Sequence, residues 1–262
     1  MSFEKGEEEE EEKKAIDLTS TFDRLDKACF LGVNSWELSL PLYEALLKRD
    51  SSGWARFMCG FCSREEEVLV KATYFAKAVP KLRAAAKKKK CYRGYHGLAY
   101  CYEYGLGGLT INHDLALRHY SAAAKKGFFM AQCRMGHVYR KGFLGTKRNY
   151  KWTAQLYRLS IKQVFAPSQR RLARMYMKGK GVGKSNTKAA RLFEKAVSHG
   201  DTMYSTLNDL SGLYYTKRAS LSNYPRAIAL AKLAVDKGSS DVWLKSILKA
   251  SQEEKIEEGM CF

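Results

Sequence analysis

The chain has 262 residues, which is enough for one large domain or two small ones around a real hydrophobic core. It carries 46 Lys and Arg against 27 Asp and Glu, so its formal net charge is +19, and apolar residues make up 45% of it. This composition is typical of a globular chain, and since no apolar run approaches about 18 residues we expect no membrane span. Four prolines and long stretches rich in Ala, Leu and Lys predict an all-α fold.

The chain begins with an acidic segment, in which residues 1–14 hold seven Glu and three Lys. Because like charges repel one another, we expect residues 1–19 to form a disordered acidic tail. An acidic start is the opposite of a secretory signal peptide, which predicts a cytoplasmic protein with reduced thiols. The basic run Lys87–Lys90 is also typical of a nuclear localisation signal and leaves the nucleus as an alternative.

Residues 20–91 have helical patterns without a clear period. The segments LPLYEALLKRD around Tyr43 and KATYFAKAVP around Phe75 echo a motif that recurs later in the chain. We therefore interpret this region as degenerate helical hairpins that cap the helical region C-terminal to it. Pro80 is expected to break or kink its helix, because proline lacks the N–H that an interior helical position donates.

A repeat of about 37 residues organises the rest of the chain. Four similar segments read GLAYCYEYGLGGL, RMGHVYRKGFLG, RLARMYMKGKGVGKSN and DLSGLYYTKRASLSN, and their common tyrosines are Tyr102, Tyr139, Tyr176 and Tyr214. Three residues before each tyrosine stands a small residue, which allows two helices to approach closely: Ala99, Gly136, Ala173 and Ser211. Each unit therefore predicts a first helix, a Gly-rich loop and a second helix.

The ends of the second helices have their own signals. Asparagines precede these helices as candidate N-caps, at Asn112, Asn149, Asn186 and Asn223. Glycines follow them at Gly127, Gly200 and Gly238, where a helix commonly ends in the left-handed conformation. The second repeat departs from this pattern, because Val164 stands where glycine is expected.

The third repeat, LARMYMKGKGVGKSNTKAARLFEKAVSHG, resembles the Sel1-like repeat family in its small residue, apolar-Tyr pair, Gly-rich loop and closing Gly. This resemblance covers about residues 92–240, as four repeats. It implies a right-handed α/α solenoid of stacked hairpins that acts as a non-enzymatic scaffold for other proteins. Residues 241–262 are then expected to form a C-terminal capping helix and tail.

Charge indicates where a partner would bind. Residues 115–193 contain no Asp or Glu but nineteen Lys and Arg. In the first helices, the positions five and two before and two after the common tyrosine fall on one face, opposite the core. Those positions predict a basic groove flanked by tyrosines, with the candidate partner-binding residues Tyr100, Tyr104, Arg134, His137, Lys141, Arg171, Arg174 and Lys178. We expect an acidic protein segment to bind there, with RNA as the alternative ligand.

The cysteines allow two other interpretations, thiol redox chemistry and zinc binding. Cys59 and Cys62 form a CxxC, which occurs in thiol oxidoreductases but usually follows a strand that is not predicted here. With Cys91, His96 or Cys101 the same pair could hold zinc, although the spacing is loose. Buried thiols are the third interpretation and the one we adopt, so we predict no metal, no cofactor and no enzymatic activity.

Overall fold

The computed structural model describes residues 18–29, 35–63, 68–87, 91–215, 223–241, 244–246 and 248–249. Within these ranges every regular element is a helix, which confirms the predicted all-α fold. The described helices include no candidate for a membrane span. Most of the predicted acidic tail (1–19) and most of the predicted C-terminal cap and tail (241–262) lie outside the described residues, as do Lys88, Lys89 and Lys90.

Twelve helices follow one another along the described chain. They are α1 (18–28), α2 (Ser35–Leu46), α3 (Trp54–Cys62), α4 (Val68–Lys87), α5 (Tyr92–Tyr104), α6 (His113–Lys125), α7 (Phe129–Lys141), α8 (Tyr150–Ile161), α9 (Ala166–Lys178), α10 (Asn186–Ser198), α11 (Tyr204–Tyr215) and α12 (Tyr224–Asp236). Short helical pieces come after them at residues 244–246 and 248–249. The described residues divide into two compact units, of which the first ends at Ala131 and the second begins at Gln132 within α7.

The first unit is centred on the fully buried indole of Trp54, whose ring meets that of Phe128 at a centroid distance of 5.7 Å. Beside it, the buried carboxylate of Asp26 accepts hydrogen bonds from the Tyr43 hydroxyl (2.8 Å) and the Trp54 indole N–H (2.9 Å). The Nε atom of Arg93 lies 3.3 Å from the same carboxylate. These contacts join α1, α2, α3 and α5 around one carboxylate, and its burial raises the pKa of Asp26 to about 6 although Arg93 opposes this.

The region predicted as degenerate hairpins contains α1 to α4, and the last of these helices includes a proline. Pro80 does not break its helix, since α4 runs without interruption from Val68 to Lys87. Buried side chains flank the proline on both sides, among them Val79 and Leu82. Burial of this apolar surface offsets the one backbone hydrogen bond that proline cannot donate.

The repeats close their loops with a shared hydrogen bond. The carbonyl of each common tyrosine accepts from the backbone N–H of the residue that caps the second helix, at 2.9 to 3.2 Å. The capping residues are Asn112 after Tyr102, Asn149 after Tyr139, Ser185 after Tyr176 and Asn223 after Tyr214. Three predicted asparagine caps are therefore confirmed. Asn186 is wrong, because the loop of the third repeat is one residue shorter than those of the first two, and Ser185 caps α10 instead.

The second helices also end in a shared way. Gly127, Gly200 and Gly238 have φ near +90°, and each donates its N–H to the carbonyl three residues earlier. Val164 takes the same role in the second repeat, with a φ of +59° and a 2.8 Å hydrogen bond to Ile161. The repeat geometry is thus kept although valine enters the left-handed region only at a conformational cost.

Candidate basic pocket of the second unit

The first helices of the second and third repeats are amphipathic. In α9 the buried residues Leu172, Ala173 and Met175 pack into the unit, so the remaining arc carries the cations Arg171, Arg174 and Lys178. A helix turns by about 100° per residue, which places residues three and four apart on the same side. The sequence pattern therefore directs positive charge to one face of the helix.

These cations surround a concave pocket of about 410 Å³ in the second unit. The residues that form it come from α7, the first residue of α8, α9 and the loop after it, and the region where α11 begins. Its lining comprises His137, Arg140, Tyr150, Arg170, Arg171, Arg174, Met175, Lys178, Lys180, Met203 and Ser205. Six of these side chains are cationic, and we call this site the basic pocket.

Two of the six cations are partly neutralised by acids that lie C-terminal to α10. The guanidinium of Arg174 pairs with the carboxylate of Asp209 and donates a second hydrogen bond to the Ser205 carbonyl (3.0 Å). Arg170 Nε lies 3.5 Å from the buried carboxylate of Asp201. Desolvation raises the pKa of Asp201 and lowers that of Arg170, each opposed by the charge of the other. Six cations against two acids leave an excess of four positive charges around the pocket.

Arg171 and His137 are held by different contacts. One guanidinium nitrogen of Arg171 lies 2.9 Å from the sulfur of Cys133, which fixes this side chain against α7. The His137 ring meets the edge of Phe143, and its Nδ1 atom lies 3.4 Å from an Arg134 guanidinium nitrogen. Desolvation is the main cause that lowers the pKa of His137 to about 4. The neighbouring cations lower it further, and Arg171 has the largest effect among them. At neutral pH this imidazole is therefore uncharged.

The structure brings together some of the predicted residues and separates others. His137, Arg171, Arg174 and Lys178 line the pocket, whereas Arg134 and Lys141 are not part of its lining. Lys141 is exposed at the end of α7, and its carbonyl accepts a hydrogen bond from Arg148.

Tyr100 and Tyr104 belong to the first unit. The Tyr100 ring packs among the rings of Phe57 and Phe61 at centroid distances of 5.5 and 5.6 Å, and that of Tyr104 lies 4.6 Å from it. Tyr104 nevertheless remains 47% exposed, so its ring offers contact area on that unit. Tyr100 is half-buried, and its main contacts are those of an aromatic cluster.

Sequence reasoning missed three cations of the pocket: Arg140, Arg170 and Lys180. Arg140 and Arg170 lie on their helices next to the face formed by the positions five and two before and two after the common tyrosine. A wider face would have included them. Lys180 stands in the loop after α9, where no helical period applies. Its ammonium lies 5.6 Å from the ring centre of Tyr150, a contact that only the folded loop reveals.

The CxxC pair lies buried in α3. Cys59 and Cys62 are both fully buried, and desolvation raises the pKa of Cys59 to about 12, so the thiolate needed for attack is strongly disfavoured. The sulfur of Cys62 lies 3.4 Å from that of Cys29. Among the described residues, no three His, Cys, Asp or Glu side chains are grouped as a metal site would require.

Comparison with known proteins identifies the family of the repeats. The sequence model of the Sel1 repeat matches residues 93–128, 129–163, 166–201 and 209–239, which together make up more than half of the chain. The chain belongs to the Sel1 repeat family. The resemblance inferred from the repeat sequences is thereby confirmed, and Sel1 repeat proteins are typically scaffolds for protein interactions.

Two crystal structures are similar to this chain in fold. A Sel1 repeat protein from Oxalobacter formigenes is 24% identical, with a TM-score of 0.59 over 70% of this chain and 68% of that one. A protective antigen of uropathogenic Escherichia coli with an SLR fold is also 24% identical, with a TM-score of 0.58 over 76% of this chain and 41% of that one. Both support the predicted helical solenoid fold. A search of curated proteins found no match.

Proposed function

We propose that this Sel1 repeat protein is a non-catalytic scaffold that binds an acidic segment of a partner protein through the basic pocket. The supporting observation is the excess of four positive charges around one concave surface that three successive repeats build. Such a concentration of one sign raises the local potential and speeds encounter with an anionic partner. The half-buried Met203 adds apolar contact area within the same lining.

RNA is the second candidate, favoured by the run of nineteen cations without an acid in residues 115–193. An RNA backbone would be neutralised by the same side chains. The two ligands differ in how strongly salt should weaken them, because each neutralised phosphate of a nucleic acid releases counterions on binding. Apolar anchors make a protein partner less sensitive to salt.

The test uses two variants with equal loss of charge. The pocket triple variant replaces Arg140, Lys178 and Lys180 by Ser; none of them pairs with Asp201 or Asp209. The surface triple variant replaces the exposed Lys151, Lys162 and Lys195 by Ser, none of which lines the pocket. Arg171 and Arg174 are left in place because they contact Cys133 and Asp209 and so support the fold.

A fluorescent peptide rich in Glu and Leu and a single-stranded RNA are titrated at about 50 and 200 mM salt. We expect the peptide to bind the unaltered protein and the surface triple variant equally. The pocket triple variant should bind about tenfold more weakly, since three partly exposed charges at about 0.5 kcal/mol each amount to about one decade in Kd. Equal losses in both variants would contradict the pocket as the site. A steep salt dependence on RNA, lost in the pocket triple variant, would favour the second candidate.

A further inference from the structure

The size of the basic pocket limits what can occupy it. Its volume of about 410 Å³ lies at the small end of the range for small-molecule sites, and far below what a whole acidic helix needs. An extended run of carboxylates would place most of its charge outside this volume. The part of an acidic segment that enters the pocket is therefore one compact group, and a group with more than one negative charge matches the cations of the lining best.

Two arginines of the pocket are held in place before a ligand arrives. Arg174 is fixed by Asp209 and the Ser205 carbonyl, and Arg171 is fixed by the sulfur of Cys133. A guanidinium has five N–H donors, so the two that Arg174 uses leave three for a ligand. Groups ordered in advance lose little conformational entropy on binding, which favours affinity.

The ligand that matches these donors is a phosphoryl group. Resting on the function proposed above, we propose that the basic pocket accepts a phosphoserine or phosphothreonine side chain of the partner protein. A phosphoryl group carries about −1.5 to −2 charges at pH 7 and three acceptor oxygens, whereas a Glu carboxylate carries one charge and two oxygens. At equal distances a dianion gains about twice the Coulomb energy of a monoanion from the same cations. Guanidinium forks also match the spacing of phosphate oxygens.

The surroundings favour a phosphorylated protein over a nucleic acid. Single-stranded RNA is commonly held by bases that stack on open aromatic rings. The phenol ring in the pocket lining, that of Tyr150, is half-buried and has the Lys180 ammonium over its face. The half-buried side chain of Met203 suits the aliphatic parts of a peptide better than a sugar–phosphate chain.

His137 reports whether the ligand occupies the pocket. Its imidazole lies in the lining beside Arg171 and Arg140, with Arg134 and Lys141 on its own helix, and these cations lower its pKa in addition to desolvation. A bound phosphoryl anion cancels part of this positive field, also where it keeps one proton at the lower pH at which His137 titrates. The pKa of His137 must then rise, because the charged imidazolium meets less repulsion.

The experiment compares three short peptides that differ at one central position, which is phosphoserine, Glu or Ser, within uncharged flanking residues. Each is titrated into the full chain by NMR, with a single-stranded RNA as a fourth probe, and the His137 ring resonances are followed across pH. We expect the phosphoserine peptide to bind at least about tenfold more tightly than the Glu peptide and to raise the His137 pKa by about one unit or more. The surface triple variant should behave like the unaltered protein, and the pocket triple variant should lose the preference.

Equal binding of the phosphoserine and Glu peptides through the pocket would overturn the phosphoryl site while leaving the acidic-partner function intact. Absence of pocket-dependent binding by all three peptides would overturn the phosphoryl site, and the same result with the peptide rich in Glu and Leu would overturn the acidic-partner function as well. Tighter binding of RNA than of the phosphoserine peptide, lost in the pocket triple variant, would overturn the assignment to a phosphorylated protein. A phosphoserine peptide that binds without shifting His137 would show that it binds elsewhere and would overturn the site.

Discussion

The contact between Gly136 and Tyr157 offers a direct test of how the second repeat packs. Gly136 lies in α7, and a methyl group added to it would stand 2.5 Å from Cε1 and 2.7 Å from Cδ1 of Tyr157 in α8. Carbon atoms in contact normally lie about 3.5 to 4 Å apart, so this overlap exceeds the tolerance of a close-packed core. Tyr157 is fully buried and cannot swing away into solvent.

We expect Gly136→Ala to lower the free energy of unfolding by about 1 to 2 kcal/mol. Overpacking in a core costs about 1 to 3 kcal/mol. Alanine recovers about 0.5 to 1 kcal/mol of this, because it favours the helical backbone more than glycine does. The net value is measured by urea unfolding followed by far-UV circular dichroism.

A second background makes this prediction specific. In Tyr157→Leu the overlapping ring atoms are gone, so adding alanine at position 136 should stabilise the protein by about 0.5 to 1 kcal/mol. The double-mutant cycle should therefore give a coupling of about 2 kcal/mol between the two positions. If Gly136→Ala has the same effect in both backgrounds, or is stabilising in the unaltered protein, the close approach of α7 and α8 at this point is refuted.

Three further predictions concern the backbone and the buried ionisable groups. Gly238→Ala should destabilise the protein by about 1 kcal/mol in urea unfolding, because the backbone there is left-handed with a φ of +91°. Gly183→Ala is the control: an added methyl group meets no atom within 4 Å at either glycine, but Gly183 has no positive φ, so its substitution should cause no loss of stability. The NMR titration of unliganded His137 should have its midpoint near pH 4, and a midpoint near 6.5 would contradict the position of its ring. Because the folded pKa is below the unfolded value of 6.5, the contribution of His137 to stability is full above pH 6.5 and is lost as the pH falls towards 4. Asp26 has the opposite sign, because its pKa of about 6 exceeds the unfolded value of 3.8. Its contribution to stability falls by about 3 kcal/mol in all as the pH rises from well below 3.8 to well above 6, and Asp26→Asn should abolish this part of the pH dependence of unfolding.

The sequence predicted the repeat architecture because its signals are local. A tyrosine at a fixed place in each first helix and an asparagine or serine about ten residues later specify a loop, whatever surrounds it. Prediction was weaker where tertiary packing overrides such signals. Pro80 was expected to break or kink its helix, yet α4 continues through it. Val164 occupies a position suited to glycine, yet it adopts the left-handed conformation of the glycines in the other repeats. Local preference amounts to about 1 to 3 kcal/mol at such positions, which packing can offset.

The basic pocket shows why charge is harder to predict than fold. Counting along the chain isolated a segment, residues 115–193, without any acid, and suggested that its arginines face solvent unopposed. In stacked repeats, however, the neighbours of a first helix come from the next repeat, about 37 residues further on. Asp201 and Asp209 lie beyond the counted segment and pair with Arg170 and Arg174 inside it. The net charge of such a surface must therefore be summed across adjacent repeats at equivalent positions. Summed that way, the pocket keeps four of its six positive charges, and the two that are neutralised belong to Arg170 and Arg174, whose side chains the paired acids hold in place.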